Sequence, residues 1–486
     1  MIKVQNSLLS MHLHKFLAIC FPLLTSFLIF ISEAVVNPML SRAEGLSELG
    51  AIQDSLVIEN LSLHTAPDSN NWINPELWSL HGQFTNVTQW HPNFKATYSG
   101  LNSLDSSSDE ANTNDATLYI GARLWQGGEL YINPEIDEGF GLNNTLGAAG
   151  FPSGEAYKIG KNHPYLRWQR MFYRQVIGLG GGEQKVEAGA NQLAGLKSAD
   201  NITLTVGKFS VVDIFDTNAY AHDPRGDFLN WSVLDAGAFD YAADAWGYST
   251  GLAAEWTQSW WTLRSGLFNL SKMPNSAELE TSFSQYALIG ELEERHQWFG
   301  HPGKLKLLGF VNRGRMANYD DAVHLAHQSN STPDVALVRH FSSHPGMAIN
   351  LEQELSSDLG LFVRASINDG SKEAYDFTDI NKSLSAGLLL HGTAWGRPDD
   401  ILGIAGVING LSGHARDYLA AGGLGILIGD GQLPHYETER ILETYYSLKL
   451  NKFCRLGMDY QYIANPAYNK DRGPVSIFGF RGHVEF

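Results

Sequence analysis

Cysteine is nearly missing: Cys20 and Cys454 are the two present in 486 residues. That scarcity excludes a disulfide-stapled scaffold. Charge is scarce too, at 18% of residues, and it is lopsided, with 34 basic against 52 acidic side chains for a net of −18. Such a balance makes nucleic acid a poor partner. From residue 44 onward no run of 18 or more apolar residues occurs. A bilayer-crossing helix is thereby excluded from that part, whereas a crossing built from strands is untouched, because alternating faces average to ordinary hydropathy. With hydrophobics at 43% and aromatics at 11%, the chain is not disordered either.

The long apolar run lies at the start. Lys3, His12, His14 and Lys15 flank or precede residues 16–31, and Ser41 and Ala43 supply small side chains near a cleavage point. This pattern predicts an export leader over 1–43, with a retained anchor helix as its rival. Ile19 before Cys20 fits a lipoprotein cleavage site poorly. Cleavage after Ala43 would remove three basic residues and one acidic one, leaving 31 against 51, or −20, and Cys454 without an intrachain partner. Residues 44–75 form an unassigned N-terminal segment, read as periplasmic.

What the chain has in plenty is period-two alternation. In "LFVRASIN", Leu361, Val363, Ala365 and Ile367 oppose Phe362, Arg364, Ser366 and Asn368. The final stretch "PVSIFGFRGHVEF" sets Phe478, Phe480, Val484 and Phe486 against Ile477, Arg481, His483 and Glu485. Side chains of a strand alternate between faces, so each such run carries a greasy face and a more polar one. Sixteen strands are expected, near 80–91, 116–125, 129–133, 164–177, 201–209, 246–256, 260–268, 284–294, 304–312, 346–354, 361–368, 383–390, 401–409, 441–450, 455–463 and 475–486.

A soluble sandwich alternates as well, so the connections must discriminate. After even-numbered strands the gaps are mostly short, as in 126–128 and 257–259. After odd-numbered strands they are long, as in 92–115, 134–163 and 210–245. One Gly-rich gap, 178–200, is long where a short one is due. Sorting by parity is the layout of a membrane barrel, with short periplasmic turns on one rim and long extracellular loops on the other. The fold class is therefore all-β, a transmembrane antiparallel β-barrel of about 16 strands over residues 76–486. By parity Glu255, Arg264, Glu291, Glu293, Lys306, Asn312, Glu352, Glu354, Arg364, Glu443, Asp459 and Gln461 face a watery interior, and Trp256, Trp260, Trp261, Tyr460, Tyr462 and Phe478 suit an interfacial girdle.

From Leu80 to Phe486 the chain resembles the carbohydrate-selective porins of Gram-negative outer membranes. The resemblance is carried by "HGQFTNVTQWHPNFKATYSGLNSL", "ELYINPEI", "GAAGFPSGEAY", "GKFSVVDIFDTNAYAHDPRGDFLNW", "DAGAFDYAADAWGY" and the closing "GPVSIFGF". It implies a passive sugar channel with no cofactor and no chemical step, held among outer-membrane lipids. It further implies in-folded loops, homotrimers in related porins, and a terminal Phe read by the outer-membrane assembly machinery. A sugar presents hydroxyls and an apolar ring face, so a selective constriction needs aromatic platforms and charged hydrogen-bonding groups. The long loops 134–163 and 210–245 offer Glu135, Asp137, Asp213, Asp216, Asp223, Arg225 and Trp231, and the nearby walls offer Arg123, Trp125, Tyr131, Arg167, Arg170, Arg174 and Arg264. For each, the alternative is a salt bridge pinning a loop. Arg170 and Arg174 share a strand face with Trp168, whereas Arg167 lies on the other, so that strand has an ambiguous lumen side unless it bulges.

Two other patterns suggest chemistry. "GYSTG" matches G-x-S-x-G and would make Ser249 a nucleophile, but that motif needs a sharp strand-to-helix turn, and Ser249 sits in an alternating run. His324, His327, His340 and His344 fall in the predicted loop 313–345 without an H-E-x-x-H pattern, so no metal site is assigned. The alternatives to a sugar porin are a general or anion-preferring porin, a barrel hydrolase, and a non-channel binding barrel.

Overall fold

The computed structural model describes residues 74–486 apart from Lys158. The leader at 1–43, and all but the last two residues of the segment 44–75, lie outside the described residues. Strands β1 (Trp78–His91), β2 (Asp109–Trp125), β3 (Gly128–Gly139), β4 (Lys161–Val186), β5 (Gly195–Phe209), β6 (Ser249–Gln258), β7 (Trp261–Asn269) and β8 (Tyr286–Trp298) make the first half. The second half is β9 (His301–Met316), β10 (His340–Ser356), β11 (Leu359–Asn368), β12 (Lys382–Gly392), β13 (Arg397–Gly410), β14 (Glu439–Lys449), β15 (Cys454–Ala464) and β16 (Val475–Glu485). Each strand pairs antiparallel with its sequence neighbour, and β16 pairs with β1 to close the barrel. At the seam Phe486 gives its amide to the Gly82 carbonyl (2.9 Å) and accepts the Gly82 amide (3.0 Å).

The sixteen strands match the expected segments one for one, mostly longer at their ends. The odd Gly-rich gap resolves itself, because β4 and β5 run on into it and leave a connection of 187–194. His340 and His344, expected in a loop, stand on β10 instead, since that strand begins at His340.

The burial pattern is inverted relative to a soluble protein. Leu288, Leu292, Leu307, Leu384 and Leu388 are exposed on the outer surface, whereas Glu291, Glu293, Lys306, Ser383 and Ser385 are buried on the inner one. Apolar side chains outward and polar ones inward are the requirement for a barrel in hydrocarbon. Trp125, Trp256, Trp260, Trp298 and Trp395 are exposed at the short-turn rim. Near the opposite rim the ring of Trp90 stacks on Phe478 at 5.5 Å. These positions form two aromatic girdles.

The interior is filled by two long connections, 140–160 and 210–248. A buried irregular segment must find partners for its peptide groups. Here the inner wall supplies them. Arg364 of β11 donates to the carbonyls of Val233 (2.9 Å), Asp216 (3.0 Å) and Ala221 (2.8 Å), and pairs with the Asp216 carboxylate (3.2 Å). Glu439 of β14 accepts the amides of Ala149 (3.0 Å) and Gly150 (2.7 Å), and Glu443 accepts those of Leu229 and Asn230. Glu352 takes the amide of Ala219 and Glu291 that of Asp216, each at 2.8 Å. Between these anchors Phe215, Phe228, Phe239 and Tyr241 build apolar packing inside the barrel.

Arg364 is 1% exposed, so its removal strands a buried carboxylate and three carbonyls. Arg364→Leu is expected to cost about 3–5 kcal/mol, read as a lower denaturation midpoint in detergent, and to raise single-channel conductance as the loop loosens. Wild-type values for both would contradict this account of the interior.

Candidate functional site

The basic wall of the lumen is made by β4, and a proline shapes it. Pro134 of β3 has no amide to give the ladder. Asn133 pairs with Arg170 and Pro134 with Trp168, which leaves Gln169 as an unpaired extra residue. The bulge resets the alternation. Arg167 and Gln169 point inward before it, Arg170, Phe172 and Arg174 after it, and Trp168 and Met171 stay exposed outside. All three arginines thus face the lumen from one strand.

Each of the upper two meets a carboxylate from the in-folded loop. Arg170 forks onto Asp213 with bonds of 2.6 and 2.7 Å and lies 5.0 Å from the Tyr248 ring. Asp213 is itself oriented by the Ser210 amide at 3.0 Å. Arg167 stacks on the Trp246 ring at 3.3 Å and reaches Asp244 at 3.3 Å, and Lys208 of β5 holds the same carboxylate at 2.9 Å. Across from them Arg225 touches three acids at once: Asp115 at 3.1 Å, Glu135 at 3.3 Å and Glu155 at 3.5 Å. It latches the loop 210–248 to β2, to β3 and to the loop 140–160.

These groups surround a cavity of about 240 Å³. Arg170, Asp213, Asp223, Arg225 and Trp231 line it, joined by Glu155, Tyr157, His222, Asp235, Tyr241, Asp244, Trp246 and Tyr248. On its wall, Glu155 Oε2, His222 Nδ1, Trp231 Nε1 and Asp235 Oδ1 are buried atoms with no hydrogen-bond partner, and so is Arg225 Nε, which only approaches Glu155 Oε1 at 3.5 Å. Unpaired buried polar atoms are costly and call for a partner. Burial pushes Asp235 up to about 7, helped by the neighbouring Asp216 charge, and burial with Asp115 raises Glu155 well above the usual range. Asp223 stays below its ordinary value because Arg225 outweighs its burial. Burial, reinforced by Arg364, lowers His222.

The expected site residues divide. Arg170, Asp213, Asp223, Arg225 and Trp231 come together at the cavity, with Arg167 and Glu135 directly behind them. Trp231 offers no free platform, since Phe151 and Phe377 stack on its two faces, each at 5.3 Å. Arg123, Tyr131 and Arg174 lie nearer the short-turn rim, where Arg123 pairs with Glu129 (3.3 Å) and Arg174 covers the Tyr131 ring at 5.1 Å. Asp216 is spent on Arg364. Arg264 is enclosed by Glu255 (2.9 Å), Glu291 (2.7 Å) and Glu293 (2.9 Å), away from the cavity. Trp125 requires a correction: it is 57% exposed on the outer surface and bonds Gln175 there. The ladder slips between Arg123 and Trp125, so Leu124 is an extra residue and parity misassigns the tryptophan.

Glu155, Tyr157, Asp235, Tyr241, Asp244, Trp246 and Tyr248 were not expected as site residues. Two of the recognisable blocks, "GAAGFPSGEAY" and "DAGAFDYAADAWGY", contain them all. The strand expected at 246–256 begins later, at Ser249 of β6, which leaves Trp246 and Tyr248 in the loop. Ser249 itself opens an ordinary strand, with its hydroxyl donating to the Asn269 carbonyl at 2.6 Å, so the strand-to-helix elbow is not there. His324 and His327 stand on the helix Tyr319–Ser329 in the loop between β9 and β10, and His344 faces Asp240 inside.

The family model for carbohydrate-selective porins, the OprB family, matches residues 102–486. No curated protein matches the chain. Among solved structures, a high-pH structure of Pseudomonas putida OprB is similar at a TM-score of 0.63 and 14% identity, over 85% of this chain and 94% of that one. The outer membrane channel DcaP of Acinetobacter baumannii gives a TM-score of 0.49 at 10% identity, over 84% of this chain and 97% of its own. The likeness to the Pseudomonas putida structure is one of fold.

Asp235 titrates near 7 and is charged above that pH and neutral below it. The potassium-to-chloride permeability ratio in a planar bilayer should therefore fall as pH drops from roughly 8 to 6, and Asp235→Asn should flatten the response. A titration that persists in the variant would assign it to another group.

Proposed function

The chain belongs to the carbohydrate-selective porin family, OprB, and from that premise we propose that the cavity between β4 and the two in-folded loops is the constriction sugars cross. The protein is a sugar-selective porin of the Gram-negative outer membrane, a channel rather than an enzyme. The observation that carries the proposal is the set of unpaired atoms on the cavity wall. A sugar hydroxyl both donates and accepts. Glu155 and Asp235 accept from it, Arg225 gives it a hydrogen, and Tyr157 and Trp246 supply aromatic surface beside it. Binding is weak enough for release because each contact is single and the solute is uncharged.

An anion-preferring pore would need its basic wall free. Arg170 is neutralised by Asp213, and Arg167 and Lys208 share Asp244, which favours neutral solutes instead. Passage is passive diffusion with no chemical step. A leader removed near Ala43, association into trimers, and recognition of the terminal strand by the assembly machinery complete the proposal.

Liposome swelling with mono- and disaccharides against charged solutes of matched size tests it. Neutral sugars should swell the vesicles faster, and equal rates would overturn selectivity. The double variant Glu155→Gln, Asp235→Asn should weaken sugar block of the ionic current about tenfold, while an unchanged block constant would move the sugar path elsewhere.

A further inference from the structure

The hairpin joining β4 to β5 is too long for the barrel. At the short-turn rim Gly128 of β3 pairs with Gln175 of β4, yet β4 continues to Val186. Beyond Gly178 the ladder to β5 slips twice, on either side of Gly180. Gly180 and Gly182 have φ of 103° and 94°, and a side chain at either would touch nothing. Glycine is needed there for backbone direction alone. The outer arm is exposed from Ile177 through Lys185, so few contacts hold it to the rim.

The tip nevertheless returns into the lumen. Gly189 and Gln192 exchange two backbone bonds of 3.0 Å and close a tight turn. Leu193 is 3% exposed, and its amide donates to Tyr131 Oη at 3.2 Å. Asn133 donates to the Asn191 side chain at 2.9 Å, Arg174 to the Asn191 carbonyl at 2.9 Å, and Arg123 to the Ala194 carbonyl at 3.1 Å. Tyr131 lies three residues up β3 from the Gly128–Gln175 pair, about 10 Å along the strand at ~3.3 Å per residue. The hairpin thus leaves the barrel at Gly178 and doubles back to sit inside its lower mouth.

We propose that this hairpin is a second constriction in series with the cavity between β4 and the in-folded loops: a periplasmic flap, hinged at Gly180–Gly182, whose tip seats on Tyr131, Asn133 and Arg174 and narrows the exit. It rests on the channel reading but not on the choice of sugar-binding residues. The seat is made of single hydrogen bonds and one buried leucine, so the flap opens without disturbing the barrel. Arg123, Tyr131 and Arg174 then hold the flap, which explains three lumen residues that the upper cavity does not use.

Two variants test it in planar bilayers. Gly178 and Asn201 are directly paired, so replacing 179–200 with Asn-Gly leaves a standard two-residue hairpin. The milder variant, Asn191→Ala with Leu193→Ser, only unseats the tip and decides the question should the deletion fail to insert. Either should raise single-channel conductance about twofold, with sugar block from the extracellular side retained. Wild-type conductance in an inserted variant would overturn the flap. Absence of sugar block in the unaltered protein would instead count against the cavity as the sugar constriction.

Discussion

The hydrogen bonds between the inner wall and the backbone of the loop 210–248 are the constraint on which the rest of the interior depends. A wide barrel leaves a watery hole, and filling it with irregular chain buries peptide groups that helices and sheets would otherwise satisfy. Arg364, Glu443, Glu352 and Glu291 satisfy them from four different strands, and Glu439 does the same for the loop 140–160. Charged side chains do this better than neutral ones because their bonds are stronger and each can take several partners. The charges, once bonded, also position the loop to within the tolerance that a small cavity requires.

This arrangement divides the polar residues of the lumen into two kinds. Those of β8 to β16 are mostly committed to the loop, as with Lys306, which gives its ammonium to Thr217. The upper arginines of β4 form closed ion pairs, Arg170 with Asp213 and Arg167 with Asp244. Around the cavity, unspent hydrogen-bonding capacity remains on Glu155, His222, Arg225, Trp231 and Asp235, and elsewhere on the inner wall on groups such as Asp137, Gln169 and Asp459. At the cavity, a lumen rich in charge therefore leaves a passing solute these few partners.

The barrel was legible because two independent signals agree. Period-two alternation located every strand, and loop length sorted by parity gave the closure and the two rims. The site was less legible for a local reason. Parity fails at a bulge, and bulges stand at the two places that matter: Gln169, where Pro134 cannot donate, and Leu124, which turns Trp125 outward. Composition also could not separate latch from lining. Arg225 and Arg264 are each ringed by three acids, yet one borders the cavity and the other does not. That difference comes from which loop folds inward over which wall, a long-range fact absent from any local window.

Pairing the charges also explains how a channel can select neutral solutes while being built from ions. A free arginine in a narrow, low-dielectric passage would bind counter-ions strongly and be slow to release them. Bonded to Asp213, Arg170 presents a nearly neutral, rigid fork with Tyr248 beside it. Rigidity matters because a weak ligand cannot supply the energy to organise its own site. The ion pairs therefore hold the shape, and the few unpaired atoms between them do the recognising. Moving one charge out of its pair would alter both at once, turning a holder into a binder of the wrong kind of solute.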